Sequence, residues 1–212
     1  MFTGLVEAVG VVVDRRPEAD ATTLRLAIAA PWAEELTVGE SVAVSGVCLT
    51  VVEGTRQAFW VQCSSTTLAR TTLGTWEPGH RCNLERAPTP STRLGGHYVL
   101  GHVDAVGTIL AVEPEGLARR IRVGFPPEFG AWVVPRGSVA VDGVSLTVVE
   151  CGQNWLAFTV IPHTQAVTTL GALAVDDRVH LEFDLIAKYL ASWAEAYGVA
   201  PPGQRPTPES AP

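Results

Sequence analysis

The chain has 212 residues, 47% of them hydrophobic and 17% charged, with a formal net charge of -7, a size that accommodates two small domains each with its own core. An acidic chain without a run of Lys and Arg has nothing to neutralise a phosphate backbone, which argues against a nucleic-acid partner. No apolar run reaches the length of a membrane helix, and the opening MFTGLVEAVG lacks the basic-then-apolar order of a signal peptide, so no membrane partner and a cytoplasmic location are expected.

Taken in chain order, the β-branched run at 9–13 and the alternation of Leu24, Leu26 and Ile28 within 22–28 predict two strands. Residues 42–44 and 49–53 predict two more, flanking a Ser45-Gly46 break that suits a tight turn or bulge. Residues 59–63 and 82–86 complete six. The segment 87–93, with Pro88 and Pro90 among Thr and Ser, reads as a linker. Six further strands follow at 103–112, 120–123, 139–141, 146–150, 156–161 and 179–183. Over 185–197 the apolar period changes to that of a helix, through Ile186, Tyr189, Leu190, Trp193 and Tyr197, with Asp184 at its start and Gly198 at its stop. A lone helix carrying Tyr and Trp can cap its own barrel or pack against other subunits, of which the second is expected because aromatics are enriched in interfaces, and the Pro-rich segment 199–212 is expected to be disordered.

The second set of strands repeats the first. SVAVSGVCLTVVE at 41–53 lies over SVAVDGVSLTVVE at 138–150, an offset of 97 that also sets TGLVEAVG at 3–10 on LGHVDAVG at 100–107 and TTLG at 71–74 on TTLG at 168–171. One register held along so much of the chain indicates a duplicated domain. Short strands with Gly and Pro punctuation form sandwiches or barrels, and closure removes the edges of so small a sheet. The expected fold is therefore all-β: two tandem homologous six-stranded barrels, at 1–90 and 94–184, followed by a C-terminal α-helix at 185–198.

Duplication implies two similar pockets, and aligned positions that differ mark where the halves do different work. Leu5 aligns with His102, Ser45 with Asp142, Cys48 with Ser145 and Thr66 with His163. The second half thus gains His and Asp, groups that exchange or hold protons, while Cys, Ser and Thr orient ligands or act as nucleophiles when activated. The four cysteines, Cys48, Cys63, Cys82 and Cys151, show no CxxC or Cys/His zinc spacing, and His97 and His102 lack neighbouring ligands, so no metal is expected. GGH at 95–97 is not a phosphate loop.

MFTGLVE, SGVCLTVVE, NLERA at 83–87, RLGGHYVLGHVDAVGTI, VDGVSLTVVE and the paired TTLG together resemble riboflavin synthase of the alpha-chain type, in the lumazine-binding domain family, over residues 1–193. The resemblance implies Greek-key barrels, a homotrimer built by the helix, and active sites between the first barrel of one subunit and the second barrel of its neighbour. It implies a transferase that dismutates two 6,7-dimethyl-8-ribityllumazine molecules into riboflavin and a pyrimidinedione without a cofactor, and lumazine synthase as a further partner. Carried over by motif, the first pocket takes Gly4, Leu5, Val6, Cys48, Leu49, Thr50, Gln62, Cys63, Ser64, Ser65, Thr66 and Thr67. The second takes Gly101, His102, Val103, Ser145, Leu146, Thr147, Val160, Ile161, Pro162, His163, Thr164 and Gln165, with Arg136 reaching the neighbouring subunit's ligand. Phe2, Ser41, Cys48, His102, Ser145 and Thr147 match positions associated with catalysis. The chain departs from the family pattern in carrying Arg136 where Lys is usual, and in lacking a Glu at Thr66 and His163. Lumazine proteins keep the same barrels without turnover; the intact motifs around Cys48, His97 and His102 favour the enzyme.

Overall fold

A computed structural model describes residues 1–18 and 22–198. The β-branched runs form β1 (Ala8–Pro17), β2 (Leu24–Ala29), β3 (Ser41–Val44), β4 (Val47–Gly54), β5 (Ala58–Cys63) and β6 (Arg81–Arg86), which close into one barrel in the order β1-β2-β5-β4-β3-β6. In the second half β7 (Ala105–Glu115), β8 (Ala118–Gly124), β9 (Ser138–Val141), β10 (Val144–Cys151), β11 (Trp155–Val160) and β12 (Arg178–Phe183) close in the same cyclic order. Three consecutive hairpin strands, with β2 or β8 returning beside the third, make each barrel a Greek key. Each encloses its own apolar core, Leu26, Ile28, Phe59 and Leu84 in the first and Ile109, Ile121, Phe158 and Leu181 in the second.

The ladders run beyond the apolar patterns that signal them. β1 continues through Asp14, Arg15 and Arg16, because backbone pairing with β2 resumes after a bulge between Val12 and Asp14. An equivalent bulge lies between Ile109 and Ala111, and a second equivalent pair at Val51/Glu53 and Val148/Glu150. Bulges bend and twist a strand, and their recurrence at repeat-related positions gives both barrels the same curvature. Two short helices, α1 (Ser65–Arg70) and α2 (Pro162–Val167), stand where strand-to-turn segments were expected, too short for a periodic signal. Ser64 caps the first by accepting from the Thr67 amide at 3.2 Å. The C-terminal helix α3 (Leu185–Ala196) begins as expected, with Asp184 Oδ1 accepting from the Ile186 amide. The segment 199–212 lies outside the described residues.

The barrels meet at their repeated hairpins. Ser45-Gly46 and Asp142-Gly143 each have positive φ at both residues, the signature of a two-residue type I′ turn, so the break is a turn rather than a bulge. The two turns touch back to back: a Cβ on Gly46 would lie 2.7 Å from the Gly143 nitrogen, and one on Gly143 the same distance from the Gly46 nitrogen. Gly46→Ala therefore combines a left-handed φ of +79° with a backbone clash. A loss of about 3 kcal/mol is expected, visible in thermal unfolding as a midpoint lowered by roughly 6–12 °C for a chain of this length.

The same junction is locked by side chains at one repeat-related position. Asn83 accepts from the Thr169 amide at 2.8 Å and donates to the Asp142 carbonyl at 2.9 Å. Its counterpart His180 accepts from the Thr72 amide at 2.9 Å through Nε2, and donates from Nδ1 to the Ser45 carbonyl at 2.8 Å. Each half thus holds the other half's hairpin and TTLG loop.

Candidate functional site

The segments preceding β1 and β7 are exchanged between barrels. Ser145 donates its amide to the Gly4 carbonyl at 2.8 Å, and Cys48 donates its amide to the Gly101 carbonyl at 2.9 Å. Val6 packs against the second barrel's core and Val103 is buried in the first barrel's core. Grouping by sequence half set Gly4, Leu5 and Val6 beside Cys48; the structure sets them beside Ser145, and sets Gly101, His102 and Val103 beside Cys48. Glycine is required at both crossings, since φ is +76° at Gly4 and +79° at Gly101 and a Cβ would strike Ser145 or Cys48.

Two buried carboxylates hold these loops, and neither was expected as a functional residue. Glu85 accepts from the Thr3 amide (2.6 Å), the Thr3 hydroxyl (2.8 Å) and the Gly4 amide (3.0 Å). Its repeat counterpart Glu182 accepts from the amides of Leu100 (2.7 Å), Gly101 (2.9 Å) and His102 (3.0 Å). Burial pushes both carboxyls above the usual range, and the amide donors pull them back toward ionisation. The Leu-Glu match of the two repeats was the available signal: Leu84-Glu85 lies over Leu181-Glu182, and a carboxylate buried in both halves needs donors.

The two sites carry unlike polar groups. One combines half-exposed Cys48 with the loop of exposed His102. The other combines Ser145 with Leu5 and gains a third group, because His97 Nδ1 lies 2.7 Å from Ser145 Oγ. Burial holds the His97 imidazole below its ordinary range, so it is neutral at pH 7, and its Nε2 is buried without a hydrogen-bond partner. A neutral imidazole on a serine hydroxyl is arranged to take that proton.

The remaining expected residues divide by exposure. Thr50 and Thr147 are exposed at equivalent places on β4 and β10, and Ser41 pairs with Thr50 across the β3–β4 hairpin. Leu146 is half-buried against the second barrel's core. Gln62, Ser64, Ser65 and Thr66 are exposed at the end of β5 and the start of α1, with Thr67 half-buried. Ile161, Pro162 and His163 are exposed about α2, where the half-buried Gln165 amide is committed to the Leu117 and Val160 carbonyls. Leu49, Cys63 and Val160 face the cores, and burial pushes the Cys63 thiol up to about 12, which leaves it inert. Phe2 has no exposed surface and packs with Ala43, Val99 and Ala140 between the barrels. Arg136 is exposed at φ 67°, where the first repeat has Gly39 at φ 97°, a left-handed position that favours glycine.

Two cavities of the described residues bear on the loops and the junction. One of about 570 Å³ reaches Leu5, Ser41 and Glu85 beside the linker. The other, of about 420 Å³, lies on the junction between Thr72, Trp76, Arg81, Asp142 and Arg178, and of the repeat-aligned positions that differ it is lined by Ser45 and Asp142. No group of three or more His, Cys, Asp or Glu among the described residues is placed to hold a metal ion.

The model of the "Lumazine binding domain" family matches residues 3–87 and again 100–184. The chain is 45% identical to a riboflavin synthase of Mycobacterium bovis over 195 residues, covering 90% of this chain and 96% of that one. It is 38% identical to a riboflavin synthase of Photobacterium phosphoreum and 34% identical to one of Bacillus subtilis, each over 90% of this chain and 87% and 88% of the relative. Among solved structures, LumP complexed with 6,7-dimethyl-8-(1'-D-ribityl) lumazine shares the fold at a TM-score of 0.77 and 23% identity, over 86% of this chain and 98% of that one. LumP complexed with riboflavin superposes at 0.79.

Proposed function

The chain belongs to the riboflavin synthase family of paired lumazine-binding domains, and from that premise we propose that it joins two molecules of 6,7-dimethyl-8-ribityllumazine, passing a four-carbon unit from one to the other. The products are riboflavin and 5-amino-6-ribitylamino-2,4(1H,3H)-pyrimidinedione. The observation that carries this reading is the loop exchange: two like sites, each completed by the glycine loop of the other half, differ in their polar groups. A reaction in which one compound both donates and accepts calls for that arrangement.

In this reading the site of Ser145, Thr147 and His97 handles the proton of the lumazine 7-methyl group, with neutral His97 taking the Ser145 proton. The site of Cys48, Thr50 and His102 activates and orients the partner molecule. Holding two rings face to face converts a bimolecular encounter into a local one, a contribution of up to about 7–11 kcal/mol. The two sites meet between subunits of a cytoplasmic homotrimer. Support comes from α3, whose Ile186, Tyr189, Leu190 and Trp193 are 55–70% exposed, an apolar face that its own barrel leaves uncovered. Arg136 then reaches into the neighbouring site.

Incubation of the purified protein with 6,7-dimethyl-8-ribityllumazine, followed by absorbance and fluorescence, should yield one riboflavin per pyrimidinedione. His97→Ala should lower turnover by about a hundredfold, within the range of a lost general base. Binding without product would overturn the enzyme reading in favour of a chromophore-binding protein.

A further inference from the structure

The two repeats hold their loops with the same carboxylate but balance its surroundings differently. In the first repeat the acidic residue following the glycine loop, Glu7, is bonded by Arg86 from the adjacent strand, Nε to Oε2 at 2.7 Å and amide to Oε1 at 3.0 Å. Position 183 in the second repeat, the counterpart of Arg86, is Phe183, buried against Phe125, Phe129 and Trp132. The counterpart of Glu7, Asp104, therefore has no cation on its own barrel. It receives one from α3: Lys188, the only lysine of the 212 residues, places Nζ 2.5 Å from Asp104 Oδ2. Both side chains are largely shielded, at 18% and 15% exposure. The same Asp104 oxygen accepts from the Phe183 amide at 2.8 Å, and Lys188 also lies 5.8 Å from the Trp132 ring.

We propose that Lys188 is a positioning residue for the loop 100–104, so that the helix holding subunits together also sets His102 over the Cys48 site. The inference rests on the functional reading above. Glu182 accepts from the loop's amides and Asp104 closes the loop against the Phe183 amide, and their mutual repulsion would loosen it without the Lys188 cation that acts on both. The charged groups facing Glu182 are Asp104 from the loop and Lys188 from α3; the neutral ones are the amides of Leu100, Gly101 and His102. The three amides bind the ionised Glu182 more strongly than the protonated one, so whatever lowers its proton affinity helps to keep His102 in place. Lys188 lowers it and Asp104 raises it. In the first repeat the corresponding cation belongs to the barrel, so the loop at Gly4 is independent of the helix. Of the two loop carboxylates, Glu182 is the one whose offsetting cation stands on α3.

The test is the pH profile of riboflavin formation by Lys188→Met, Lys188→Arg and Asp104→Asn in the full chain. Lys188→Met keeps the stem and removes the charge; turnover should fall about tenfold or more, the scale of a group displaced by less than 1 Å, with KM within about threefold. Its acid limb should move to higher pH, because Glu182 without its cation is protonated earlier. Asp104→Asn keeps an oxygen for the Phe183 amide and should move the acid limb the other way. Lys188→Arg should restore the wild-type profile. A folded Lys188→Met with unchanged turnover and acid limb would overturn the proposal, as would acid limbs that move together in Lys188→Met and Asp104→Asn. If Lys188→Met does not fold, the Asp104→Asn shift decides alone. Should the wild type bind lumazine without turnover, the functional reading fails and the same opposed shifts are sought in lumazine affinity against pH.

Discussion

Glu85→Gln should lower riboflavin formation by about a hundredfold, the effect of a reacting group displaced by about 1 Å. Gln presents an NH2 group where the carboxylate offers a second oxygen, so at least one of the amides of Thr3 and Gly4 loses its acceptor inside the junction. An unsatisfied buried donor costs about 1–3 kcal/mol. The segment so released meets Ser145, not Cys48, because the loops are exchanged. Equilibrium titration with lumazine should therefore show one of the two sites weakened and the other kept, which loss of the whole fold would not produce. Turnover within threefold of wild type would show that the Glu85 clamp does not set the site.

A second large effect is concealed in the wild type. His180 and Asp142 are neighbours at the junction, with Nδ1 3.8 Å from Oδ1. Burial lowers the imidazole from 6.5 to about 4, and burial likewise raises the carboxyl from 3.8 to about 7. Between pH 4 and 6.5 the unfolded pair is charged, His⁺ with Asp⁻, and the folded pair is neutral, His with protonated Asp. Each state holds one proton, so the pair contributes almost no slope of stability with pH. Replacing one member by its repeat counterpart exposes the other. Asp142→Ser, copying Ser45, leaves a His that the unfolded chain protonates first, so stability falls as pH drops from 6.5 to 4, by about 3 kcal/mol for this 2%-exposed ring. His180→Asn, copying Asn83, leaves an Asp that the folded chain protonates first, so stability falls as pH rises from 4 to 7 by a similar amount. Denaturant unfolding of both variants against wild type across that range measures the two slopes. Parallel slopes would show that the pair is ionised in the folded protein.

The repeat, read at an offset of 97, was enough to identify two equivalent barrels, their turns and the aligned residues that differ. Period-two apolar alternation and Gly or Asp at turns are local properties, and duplication doubles their signal. Asp184 at the start of α3 and the Ser45-Gly46 break were legible for the same reason, since caps and tight turns depend on a few consecutive residues, whereas Ser64 and its six-residue helix were not. The resemblance to riboflavin synthases brought the candidate residues, including Cys48, His102 and Ser145.

Which residues meet was decided only by the tertiary structure. The loop at Gly4 lies against Ser145 and that at Gly101 against Cys48 because the hairpin turns at Gly46 and Gly143 pack back to back, bringing each barrel's rim within reach of the other half's leading segment. Glu182 and Lys188 belong to no motif, and NLERA and RLGGHYVLGHVDAVGTI hold Glu85 and His97 without giving either a role. Their roles come from burial beside partners 48 to 82 positions away, or, for Lys188, on a neighbouring barrel whose own cation position is filled by Phe183. Sequence pattern determines the elements, since those depend on neighbours along the chain. Clamps and proton positions depend on which charges lose their water together, and that is settled when the two barrels close on each other.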